Sequence, residues 1–172
     1  MSELNPSPET IAIIEQIKRA FPNKNKEKLR IARSIDPWPF YKQRLEEIFE
    51  GKYWEEVISY PNIIYCLSDV DYLREISDKA YFYYLPAFLV ATLLQHQWTF
   101  YSYSLEKIQS FLPKFSLEQI DVLISYLEYW VAFERSQGIY VEDFVEALED
   151  TQLRFMLRRD ELQSGAGKPD SS

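Results

Sequence analysis

Cysteine and histidine each occur once in the 172 residues, as Cys66 and His96. A single thiol excludes an intramolecular disulfide, and with it a secreted disulfide scaffold. One thiol and one imidazole also supply only half of a usual zinc ligand set, so no metal site is expected. Glycine is scarce, with 4 residues, at positions 51, 138, 165 and 167. So few glycines leave no room for a phosphate-cradling loop, a dinucleotide fingerprint or a nucleophile elbow, and no cofactor is expected. No Asn-Gly or Asp-Gly pair marks a hairpin. Long apolar runs are missing too. The nearest approach, Ala80 to Leu94, holds Pro86 and three tyrosines, and it falls short of the ~20 residues that a membrane span needs. The start, Met1-Ser2-Glu3-Leu4-Asn5-Pro6, has neither the basic nor the apolar region of a secretion signal, so a cytoplasmic protein with no membrane partner is expected.

Aromatic residues are abundant, at 16%, with Tyr 13, Phe 11 and Trp 4. The hydrophobic share of 47% and charged share of 27% are those of a soluble globular chain. At roughly 150 residues per domain, the length predicts one domain over 1–163 and a small, polar, disordered tail over 164–172. The formal net charge is -8. It is unevenly spread: 10 basic and 8 acidic residues lie up to Lys52, against 9 and 19 beyond it. Nucleic acid is a disfavoured partner, since phosphate-backbone binding draws on Lys and Arg displacing counterions. The one basic run, Lys18, Arg19, Lys24, Lys26, Lys28, Arg30 and Arg33, lacks interleaved aromatics or a binding motif, and it reads as a complement to the acidic remainder of the same fold or of a second copy.

The pattern predicts an all-α fold of about seven or eight helices. Ser7 followed by Pro8 opens a helix over 8–20. Further helices are expected over 26–35, 40–49 (stopped by Gly51), 53–58 and from Ser68 or Asp69 to Ile76. Asp78 is expected to cap a long apolar helix over 79–98, kinked at Pro86. Ser104 is expected to cap a helix over 105–112. Ser116 and Gln119 form a capping box for a helix over 117–136, and a last helix runs from Val141 to Met156 or beyond. The helices near 79–98 and 117–136, apolar nearly all round, are expected to pack as a central pair. On the second of these, Val122, Tyr126, Tyr129 and Phe133 form a further apolar side, which reads either as enclosed or as open to a partner.

The run Ser77-Asp78-Lys79-Ala80-Tyr81-Phe82-Tyr83-Tyr84-Leu85-Pro86-Ala87-Phe88-Leu89, followed by Phe115-Ser116-Leu117-Glu118-Gln119, resembles a family of small uncharacterised bacterial proteins, a domain of unknown function. In that family a Tyr-Leu-Pro-Ala segment precedes a Phe-Ser-x-x-Gln helix start. The resemblance covers roughly 60–133. It implies a bacterial, cytosolic, mostly helical domain and brings neither an activity nor a functional residue.

Two sets of residues are candidates for function. Glu142, Glu146 and Glu149 share one side of the last helix, beside Asp143 and Asp150. No calcium-loop pattern or Glu-x-x-His pair accompanies them, so they read as a solvated face or as a docking surface for a basic protein partner. Tyr81, Tyr83 and Tyr84, with His96 beyond them, are candidates for a ligand pocket: consecutive side chains stand ~100° apart on a helix, so they cannot all share one face. No catalytic triad is legible around a single histidine. The leading expectation is therefore a non-enzymatic protein-protein interaction module, with an immunity- or antitoxin-like role as its sharper form. The alternative is a small enzyme or ligand-binding domain with a tyrosine-lined pocket, in which His96 or a carboxylate acts as base.

Overall fold

The computed structural model describes residues 6–23, 29–32, 39–59, 63, 74–95, 102–137 and 142–165. These form seven α-helices: α1 (Pro8–Ala20), α2 (Pro39–Phe49), α3 (Trp54–Ile58), α4 (Asp78–Gln95), α5 (Ser102–Ser110), α6 (Leu117–Ser136) and α7 (Glu142–Gln163), with a 3-10 turn over Leu112–Lys114. Among the described residues there is no strand beyond one isolated antiparallel bridge, Ala32 to Ile76. The fold is all-α. Packing divides the chain into two units, 1–101 and 102–172.

In the first unit, α1 and α3 both pack on α4. Helix α1 starts as its sequence dictates: the Ser7 hydroxyl accepts from the Thr10 amide at 3.1 Å, and Pro8 takes a position whose amide has no intrahelical partner anyway. Its inward side, Ile13, Ile14 and Ile17, is buried. The Trp54 indole on α3 is also buried, and its Nε1 donates to the Phe21 carbonyl at 2.9 Å. This ties α3 to the end of α1. Helix α4 continues through Pro86.

The end of α2 is closed with unusual completeness. Gly51 takes φ +70°, a left-handed value that costs glycine little. This reverses the chain, so that Lys52 Nζ donates to the Ile48 carbonyl at 3.0 Å and also reaches that of Glu47. The last carbonyls of a helix lack intrahelical donors, and here a folded-back lysine supplies them.

Two sequence expectations need correction in this unit. Residues 29–32 are not helical: Ala32 pairs with Ile76, and the Ser77 amide donates to the Ile31 carbonyl at 2.7 Å. The bonds that a helix over 26–35 would have kept local go instead to a distant segment. Ser77, not Asp78, caps α4. Its hydroxyl accepts from the Ala80 amide at 3.2 Å and donates to the Arg30 carbonyl at 2.6 Å. The choice between two adjacent capping residues is made by a partner 47 residues away. The expected helix from Ser68 or Asp69 lies almost wholly outside the described residues, as do Cys66 and Gly138.

In the second unit, α6 and α7 pack side by side and α5 packs on α7. The capping box of α6 is realised on both sides. Ser116 Oγ accepts from the Gln119 amide at 3.3 Å, and Gln119 Oε1 accepts from the Ser116 amide at 3.0 Å. Helix α5 starts at Ser102, so Ser104 is not its cap but lies inside it, fully buried. Helix α7 runs on past Met156 to Gln163 because nothing stops it before Gly165, at φ +74°. The expected central pairing joins helices of different units. What each unit shows is that α4 packs with α1 and α3, and α6 with α7. From residue 166 on, the expected tail lies outside the described residues.

Candidate functional site

Helix α7 is amphipathic in a lopsided way. Its inner side is narrow: Val145, Leu148, Thr151 and Phe155 are buried. Thr151 belongs there because its hydroxyl is satisfied twice, donating to the Ala147 carbonyl at 2.7 Å and accepting from Gln109 Nε2 of α5, also at 2.7 Å. The Phe155 ring meets Phe115 at 5.9 Å between centroids. Everything opposite is open to water.

The first two turns of that open side carry the acidic candidates. Glu142, Asp143 and Glu146 are exposed and have no ion-pair partner among the described residues. Glu142 and Asp143 sit in the first turn, where the helix dipole favours anions. Glu146 lies beyond that turn, and the dipole does not account for it. Glu149, the third candidate, differs from the other two. It is half-buried and paired with Arg135 of α6, and Glu128 of α6 accepts from Gln152 at 3.1 Å. Glu149 therefore helps to hold α7 on α6. Asp150 is paired with Arg154 at 2.8 Å. Further along, Arg158 meets Glu161 at 2.9 Å and Arg159 meets Asp160 at 3.5 Å. All three arginines of α7 are thus engaged with carboxylates of the same helix.

The tyrosine candidates lie in the first unit, on α4. Tyr81 is 0% exposed and Tyr84 2%. The Tyr84 hydroxyl stands 2.5 Å from the Phe49 carbonyl and 2.9 Å from that of Lys52, adding two more contacts at the closed end of α2. Burial drives its pKa well above the usual tyrosine range, with Tyr83 and Glu56 adding to the effect. Its ring lies 4.7 Å from Phe49, and Phe88 stands edge-on to the same Phe49 at 5.8 Å. Tyr81 packs on Phe88 at 5.4 Å. Only Tyr83 reaches the margin: it is half-buried, stands edge-on to Tyr84 at 4.8 Å, and its hydroxyl has no hydrogen-bond partner among the described residues. Its pKa is raised by burial first, then by Tyr53 and Glu56. Glu56 is held in place because it accepts the Tyr53 amide at 2.5 Å. The structure therefore brings the three tyrosines into one aromatic cluster that fastens α2 to α4. His96 lies outside the described residues.

The further apolar side of α6 is enclosed. Val122, Tyr126 and Tyr129 are buried and Phe133 is half-buried, with Trp130 packed edge-on between Tyr129 at 5.5 Å and Phe133 at 5.3 Å. Beside them, burial raises the pKa of Glu134.

Two features were not singled out from the sequence. Ser104 and Lys107, one turn apart on α5, are both buried, and the Ser104 hydroxyl has no hydrogen-bond partner among the described residues. A serine and a lysine at this spacing suggest a nucleophile and base, yet burial this deep keeps a substrate from both. The other feature is a pair of exposed leucines, Leu153 and Leu157, on the open side of α7. Their phase on the helix, opposite Leu148 and Phe155, is what places them outside.

Among the described residues no three His, Cys, Asp or Glu side chains come together as a metal site, and no helix is long and apolar enough to cross a membrane. The resemblance carried by the Tyr-Leu-Pro-Ala segment rests on its own residues: no family model matches the chain, and neither a curated protein nor a solved structure shows significant similarity to it.

Proposed function

We propose that the chain is a non-enzymatic protein-protein interaction module that docks the open, acidic side of α7 onto a basic surface of another protein. The observation that supports this reading is the contrast within α7: its later acids are neutralised inside the unit, whereas Glu142, Asp143 and Glu146 are exposed and unpaired among the described residues. Carboxylates left free in this way raise the encounter rate with a basic surface and select against acidic ones. An immunity- or antitoxin-like role, in which α7 covers a basic site on a toxin, is the sharper form of the same proposal. A cytoplasmic location goes with it, since a chain with one thiol has nothing to gain from an oxidising compartment.

The experiment is capture from lysate of the native host on immobilised protein, at low and at high salt. A basic partner retained at low salt and released at high salt is expected, with Glu142→Lys plus Glu146→Lys weakening retention about tenfold. Retention indifferent to both salt and the double reversal sinks the proposal.

A further inference from the structure

Exposed apolar side chains scattered singly are ordinary on a protein surface. Ile11, Phe40, Leu94 and Leu117 are of that kind, each on a different helix. Leu153 and Leu157 are not. They are 54% and 56% exposed, and their i, i+4 spacing sets them side by side on the open face of α7. At ~100° per residue, Glu146 and Asp150 fall on the same stripe, one and two turns before them. The stripe therefore reads acid, acid, leucine, leucine from the start of α7 towards its end.

We infer that this stripe is a helix-in-groove ligand: Leu153 and Leu157 enter an apolar groove of a partner whose basic rim receives Glu142 and Glu146. The inference rests on the interaction-module reading and adds to it where the affinity comes from and what shape the partner has. Helices recognised in this way present anchors at i and i+4 to an apolar groove, and charge at the edge sets register and encounter rate.

Charge complementarity favours a foreign partner over the same face of a second copy: α7 of a second copy holds no free cation for Glu142 and Glu146, since Arg154, Arg158 and Arg159 are already bound to Asp150, Glu161 and Asp160. The occupant is a different protein, apolar in its groove and basic at its rim.

The test uses the full chain with a photo-crosslinking phenylalanine analogue at position 153 or, as a control, at the exposed Ile11, irradiated in native-host lysate. Capture on Leu153→Ala/Leu157→Ala protein runs in parallel. The expected result is one discrete adduct from position 153, absent from position 11, whose other component is a basic protein. The double alanine variant should bind that protein about 100-fold more weakly, since two leucines lose their burial. Its far-UV circular dichroism and melting temperature should match wild type, because both positions are exposed. A 153 adduct of twice the chain's own mass overturns the inference in favour of self-association. Capture lost on Glu142→Lys plus Glu146→Lys but intact in the double alanine variant overturns it while leaving the interaction-module reading standing. Capture affected by neither variant, or no partner at all, overturns both.

Discussion

Helices α4 and α7 are close in length, 18 and 22 residues, and they use their side chains in opposite ways. In α4 nearly every position from Ala80 to Leu93 is buried, and even its tyrosines turn inward, Tyr84 to cap α2 and Tyr81 to pack on Phe88. In α7 four buried side chains hold the helix down, and the side opposite them faces water. Aromatic density is the conspicuous feature of the sequence, and it is spent on the interior: a large ring contributes most when it is fully desolvated, with its one polar atom matched to a carbonyl. The helix of plainer composition is the one that keeps an exposed side.

The broadest way to break this comparison is to truncate one apolar side chain in each helix. Phe88→Ala should cost about 3–5 kcal/mol of unfolding free energy, read from urea denaturation, because it leaves a cavity among Tyr81 and Phe49. Leu157→Ala should change stability by no more than about 0.5 kcal/mol. Equal losses would mean that α7 is enclosed like α4. A smaller effect sharpens the role of the tyrosines: Tyr84→Phe keeps the ring and removes the hydroxyl, leaving carbonyls at the end of α2 one donor short, at a cost of about 1–3 kcal/mol. A neutral result would return the Tyr84 hydroxyl to the candidates for ligand binding. The smallest effect concerns Glu134, whose carboxyl is raised in pKa by burial. A carboxyl with a raised folded-state pKa burdens the native state when ionised, and the burden is lifted as pH falls through that pKa. Glu134→Gln should therefore stabilise slightly at neutral pH, with the gain shrinking as pH is lowered, measured as the difference in melting temperature from wild type. A gain that grows towards acid pH would show that the ionised carboxylate is favoured there.

What was legible in the sequence was what is decided locally. The bounds of α1 and α6 follow from Ser7-Pro8 and from Ser116 with Gln119, signals complete within four residues. The all-α class follows from scarce glycine and absent hairpin turns. Two kinds of information escaped. Ser77 and Asp78 are both good caps, and only the distant Arg30 carbonyl separates them. Residues 29–32 carry helix-forming types but pair with residues near 76. Of the acidic candidates, Glu142 and Glu146 are exposed, whereas the partner of Glu149 on α6 is a product of packing that no spacing reveals. The leucine pair is marked only by helix phase, which points outward although the residue type is apolar.

The tie from the Ser77 hydroxyl to the Arg30 carbonyl spans 47 residues, whereas the backbone bonds of the described residues mostly close within four. Helix bonds form with little loop to close, whereas the cost of joining distant segments must be met before any contact rewards it. On the folding path the helices of the first unit therefore come before this tie. The Ser77 amide, which donates to the Ile31 carbonyl beside this tie, therefore reports when that unit is complete, and the loss of its protection from solvent exchange is expected to mark the first step of its opening.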